Sequence, residues 1–231
     1  MKHWHPLCCA AMALGLALPA TAADFSAWIP AGWKMVAGAE GDLNGDGAAD
    51  AVIVLQQQDA AKIVANDGLG NPTLDTNQRQ IKVLLRQGAG YRLVAENRSW
   101  LPSAGDVDMP CLADPLLDEG SIEINRGVLK VSLGYWYSCG SWGVSRDTYT
   151  FRWQQNRLRL IGWDGVEFMR NSGDMTERSI NYLTGRQKTV TGGNMFEDVP
   201  AAKIKTRWQT LPPQPARYLD GPSLPSPQDW E

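Results

Sequence analysis

Histidine is the residue this sequence most nearly lacks. The 231-residue chain has two, His3 and His5, both in an N-terminal stretch that reads as a removable leader. Without them, Ser-His-Asp and Cys-His catalysis are excluded, and a catalytic zinc site loses its commonest ligand. Any enzyme chemistry would rest on carboxylates, as in glycoside hydrolysis. Basic runs are also missing, and the net charge of the whole chain is −3. That balance fits neither nucleic acid nor an anionic membrane surface. Beyond the leader no apolar run is long enough to predict a membrane span. Cysteine is scarce: of four, Cys8 and Cys9 lie in the leader, which leaves Cys111 and Cys139.

What is present begins with that leader. Lys2, the run "LCCAAMALGLAL" and the small residues of "PATAAD" predict a signal peptide over residues 1–23. The expected location is therefore periplasmic or secreted. In an oxidising compartment the two remaining cysteines are expected to form one disulfide, adding about 3–4 kcal/mol on the chain-entropy model. Residues 24–210 read as one β-rich domain. Residues 211–231, with their many prolines, read as a tail or surface strap.

The domain reads as β because the hydrophobic period is two. Ile81, Val83 and Leu85 alternate with polar residues, "QGAG" turns, and "YRLVAE" returns. Ile122 and Ile124 lead through Arg126-Gly127 into Leu129, Val131 and Leu133. Tyr149, Phe151 and Trp153 lead through Gln-Gln-Asn into Leu158 and Leu160. A further strand is predicted around Ile180 and Tyr182, and residues 24–40 read as a lead-in. The expectation is a mainly β protein with few helices, built on antiparallel sheet; a sandwich and a curved or barrel-like sheet remain open.

The most specific motif is "GDLNGDGAADAVIVL". Asp42, Asn44 and Asp46 occupy positions 1, 3 and 5 of a calcium loop. Gly47 stands at the tight turn, Ala48 offers a carbonyl at position 7, and Asp50 stands at position 9. Position 12 is Ile53, inside a strand, so the loop is not an EF-hand. The alternative is a metal-free Asx-rich turn. Three carboxylates within nine residues would repel each other without a cation, so calcium is the expected occupant, and its expected role is structural, since no water-activating base lies beside the loop.

The second unusual stretch is "GYWYSCGSWGVS". Tyr135, Trp136, Tyr137 and Trp142 crowd together with Ser138, Gly140 and Ser141. Alternation puts neighbouring aromatics on opposite faces, so not all can be core. Aromatics among small residues suit protein contact or sugar stacking, and they also suit plain packing. The acids Asp106, Asp108, Asp114, Asp118, Glu119 and Glu167 form no pattern that specifies catalysis.

The aspartate loop resembles the calcium loops of FG-GAP and VCBS-type sequences, here in a single copy. Together with "IKVLLRQGAGYRLV", the aromatic stretch, "LRLIGWD" and "RSINYLTGR", it resembles a group of exported bacterial proteins over roughly residues 33–190. That group includes periplasmic lysozyme inhibitors and immunity proteins. The resemblance implies a non-enzymatic domain that binds calcium and blocks a peptidoglycan hydrolase with an aromatic loop. A cell-wall glycan-binding module is the alternative reading, and a carboxylate-dependent hydrolase the third.

Overall fold

A computed structural model describes residues 24–116 and 120–222 of the protein. The expected leader, Asp118, Glu119 and the end of the proline-rich segment lie outside those residues.

The apolar run after the aspartate loop forms β2 (Asp50–Gln57), and it is buried along nearly its whole length. Both of its faces are covered, which explains why it reads as a continuous run and not an alternation. Val52 and Val54 face the main core, while Ala51, Ile53 and Leu55 face a smaller cluster capped by Phe25, Trp28, Ile29 and Trp33. Each fully buried aliphatic side chain contributes about 1.5–3 kcal/mol. The Lys82 ammonium donates to the Trp28 carbonyl at 2.9 Å and ties that cap down.

The segment expected to be a lead-in therefore does two jobs. Residues 24–32 cover one face of the sheet, and the next residues form β1 (Trp33–Gly41). β1 pairs antiparallel with β2. The expected hairpin forms β5 (Arg79–Gln87) and β6 (Gly90–Asn97), completing a four-stranded sheet of order β1-β2-β5-β6. Between β2 and β5 lies a small ribbon of β3 (Ile63–Ala65) and β4 (Thr73–Asp75).

A second sheet has seven strands: β7 (Ile122–Asn125), β8 (Val128–Trp136), β9 (Gly143–Gln154), β10 (Arg157–Met169), β11 (Asp174–Asn181), β12 (Arg186–Asn194) and β13 (Lys205–Thr210). They lie in the order β13-β12-β11-β10-β9-β8-β7, a meander with every pair antiparallel. Two hairpins close through residues with positive φ. Arg126 (51°) and Gly127 (74°) turn β7 into β8; Gln155 (51°) and Asn156 (61°) turn β9 into β10. Such turns match the right-handed twist of their strands.

The two larger sheets share one core. Val52, Ile81 and Val83 from the first meet Val131, Tyr149, Phe151 and Trp163 from the second. Trp100, from the long connection after β6, sits edge-on against Tyr149 and Phe151, at ring distances of 5.0 and 5.8 Å. Among the described residues there is no α-helix, and neither sheet closes into a barrel.

Residues 211–222 run back against this body. Leu211 and Leu219 are buried, Leu219 donates its N–H to the Leu158 carbonyl at 3.0 Å, and the Asn97 amide donates to the Leu219 carbonyl at 2.7 Å.

Candidate functional site

The aspartate loop joins β1 to β2 and is organised almost wholly from within. Gly45 and Gly47 have φ of 81° and 83°, a region that side chains with a Cβ avoid. Asp42 accepts the N–H of Gly45 at 2.7 Å and of Gly47 at 2.9 Å. Asn44 accepts from the Asp46 N–H at 2.9 Å, and its amide donates to the Asp46 carboxylate at 2.8 Å. Asp46 also accepts the Ala48 N–H. That backbone N–H first, and the Asn44 amide second, hold the Asp46 carboxyl below the ordinary carboxylate range.

Asp50 behaves differently from the other three. It is fully buried, and its two oxygens accept the N–H groups of Leu43 and Arg86, each at 2.8 Å. One carboxylate thus ties the loop after β1 to the end of β5. The donor chemistry of the loop, hard oxygens around a sharp turn, fits calcium, and every accepting oxygen keeps a further lone pair. Among the described residues, however, no three acidic, histidine or cysteine side chains converge as a metal-holding group. Asp42 and Gly45 also line a hollow of about 390 Å³ shared with Arg126, which sets a guanidinium-bearing residue at the open side of the loop.

The aromatic stretch closes β8 onto β9, and it is held from a distance. Cys111 and Cys139 are bonded, with their Cα atoms 5.4 Å apart. Around that bond, residues 111–115 run along the end of β8. Ser138 donates to the Cys111 carbonyl at 2.8 Å, Ala113 to Trp136 at 2.8 Å and Gly134 to Pro115 at 2.9 Å. From the other side comes Arg170, just past β10. One guanidinium nitrogen donates to the carbonyls of Tyr137 at 2.6 Å and Ser141 at 2.7 Å, and its backbone N–H donates to Trp142. The guanidinium lies 4.2 Å from the Trp136 ring and 5.6 Å from the Trp142 ring. Gly140, with φ of 78°, makes the turn.

The alternation expected along this stretch decides which aromatics are core. Tyr135 packs on the main core, and Tyr137 is half-buried with its hydroxyl 3.6 Å from the Met109 sulfur. Trp136 and Trp142 stay 46% and 60% exposed. Ser138, Gly140 and Ser141 are exposed beside them. Next to the pair is an apolar cleft of about 640 Å³, lined by Trp136, Val144, Val166, Phe168, Pro115 and Arg146 among others. Its rim residue Asp114 forms an ion pair with the buried Arg79 of β5, which fixes the rim to the opposite sheet.

Behind the cleft, on the core side of β9, sits Asp147. It is 8% exposed, and burial pushes its carboxyl up to about 6; Glu167 adds to the rise. The indole N–H of Trp163 opposes the shift without reaching hydrogen-bond geometry. Gly165 stands opposite Asp147 in the register, and a Cβ there would come within 2.5 Å of the Trp163 ring. Tyr135 is pushed up to about 12, by burial first and then by Asp147 and Tyr137.

Of the acids singled out from the sequence, Asp106 accepts the Asp108 N–H in a solvated turn, Asp114 is engaged by Arg79, and Glu167 is the neighbour of Asp147. Asp118 and Glu119 lie outside the described residues. Sequence reasoning missed Arg170, Asp147 and the Arg79–Asp114 pair. A lone arginine after a strand and an aspartate in an alternating strand carry no local signature, because their partners are remote in sequence.

Comparison of the chain with protein-family models, with curated proteins and with solved structures finds no match.

Proposed function

We propose that this is an exported, non-enzymatic β domain that inhibits a cell-wall hydrolase by seating its aromatic corner in the hydrolase cleft. The observation that carries the reading is the exposure of Trp136 and Trp142, at 46% and 60%, on a corner braced by a disulfide and by Arg170. A corner that only filled the core would bury them. Rigid exposed tryptophans beside an apolar cleft are what a protein interface needs, since little freedom is lost on docking. Calcium in the loop Asp42, Asn44, Asp46, Ala48 and Asp50 would stiffen the far end of β1 and β2 and take no part in the inhibition.

A glycan-binding reading uses the same two tryptophans. The Arg170 guanidinium lies over the Trp136 ring and occupies a face that a sugar would stack on. That observation favours a protein partner over a glycan.

The test is the clearing of purified cell walls by a panel of lysozyme-type hydrolases, with calcium and increasing amounts of the protein. The proposal expects one hydrolase to be silenced at near one-to-one ratio. Clearing of the walls by the protein alone would make it a hydrolase and contradict the proposal. Retention on walls with no effect on any hydrolase would favour the glycan reading.

A further inference from the structure

The seven-stranded sheet ends differently at its two edges. At the β7 edge, β1 lies close by: a Cβ on Gly41 would come within 2.7 Å of the Ile124 side chain. At the other edge, β13 pairs with β12 alone, and no further bridge reaches it among the described residues. Five of its six residues are exposed. An open edge presents a row of unpaired N–H and C=O groups and acts as a template for another strand.

This edge is also basic, in a chain whose net charge is −3. Residues 186–210 hold Arg186, Lys188, Lys203, Lys205 and Arg207 against only Glu197 and Asp198. None of those five cations makes an ion pair among the described residues. The two faces of β13 differ. Lys205 and Arg207 project from one face, next to Thr191 and Thr189 of β12. Trp208 projects from the other, opposite Lys188, 54% exposed and with the Arg186 guanidinium 4.7 Å from its ring.

We propose that β13 is a docking edge for an extended acidic protein segment, which adds as an eighth strand. The side-chain period of a strand then dictates the partner's pattern. Acidic residues at every second position would face Lys205 and Arg207, and an apolar or aromatic residue between them would lie beside Trp208. The same charges disfavour a second copy as the occupant: two β13 strands side by side would bring like charges together. The surface is separate from the aromatic cleft. Three strand spacings divide β13 from β10, the nearest strand lining that cleft, about 14 Å at ~4.8 Å each.

The experiment uses the full chain and a short fluorescent peptide that alternates glutamate with valine and tyrosine, read by anisotropy and by amide hydrogen exchange. The expected result is saturable binding, slowed exchange within residues 205–210, and binding weakened about tenfold or more by K205E/R207E with an unchanged melting temperature. Both substituted positions are exposed strand sites, so folding is retained. Absence of binding at millimolar peptide would overturn the proposal. So would binding that leaves the exchange of 205–210 unchanged, which would make the contact a charge effect without strand addition. Equal binding to K205E/R207E would also overturn it.

Discussion

The loop 42–50 and the corner 136–142 are both short, glycine-bearing connections between neighbouring strands, yet opposite forces shape them. The aspartate loop closes on itself through hydrogen bonds spanning two to seven residues. The aromatic corner is held by groups far along the chain: Cys111, 28 residues before Cys139, and Arg170, 33 residues beyond Tyr137. A self-closed loop tolerates damage elsewhere and fails with its own residues. A corner braced from outside fails when its braces are cut, whatever its own sequence.

The largest expected effect comes from cutting the covalent brace. Cys111→Ser with Cys139→Ser should cost about 3–4 kcal/mol in urea unfolding. It should also loosen the corner, seen as faster exchange at the Ser138 and Ala113 amides, while the aspartate loop keeps its protection. Next is the single long-range tie of the aspartate loop. Asp50→Ala leaves the Leu43 and Arg86 N–H groups without acceptors and should cost about 3 kcal/mol even before calcium is added. Asp42→Ala with Asp46→Ala removes the acceptors of the Gly45, Gly47 and Ala48 N–H groups; it should lower the melting temperature in calcium and abolish its response to a chelator.

Arg170→Ala comes third, at about 2 kcal/mol, since charge-assisted bonds to two carbonyls disappear. The emission of Trp136 and Trp142 should shift as their cation is lost. Arg170→Lys should restore little, because a point charge cannot reach two carbonyls and lie flat on an indole together.

The smallest effect is a pH dependence. Folding raises the Asp147 carboxyl from about 4 to about 6, so the stability linked to its protonated form is complete below about pH 4 and is lost as pH rises through 6. Asp147→Asn should therefore remove a fall of roughly 1–2 kcal/mol between pH 4 and pH 7 in stability measured by denaturant melts. Equal pH profiles for both proteins would count against a buried, titrating Asp147.

How far each region could be read from sequence follows from the same contrast. The aspartate loop was legible because its partners are its own neighbours. The exception is Asp50: spacing places it at the ninth position of the loop, and spacing does not show its second partner, the Arg86 N–H, 36 residues away. The hairpins β5–β6, β7–β8 and β9–β10 were legible because one face is buried and alternation shows. β12 and β13 were not, since their residues are half-exposed or exposed on both faces and "KTRWQT" has no apolar period. β1 was read as a lead-in for the same reason, with no residue fully buried. In the aromatic corner the composition and the alternation were visible, but the brace was not: Arg170 lies beyond β10, and nothing near it announces its role.

The measurement that bears most directly on the proposed inhibition is titration of a silenced hydrolase with wild type and with Trp136→Ala/Trp142→Ala, in calcium. Two central aromatic anchors lost together should weaken inhibition about 100-fold or more, at an unchanged melting temperature. Inhibition of undiminished strength by the double variant would show that the aromatic corner is not the surface that enters the hydrolase.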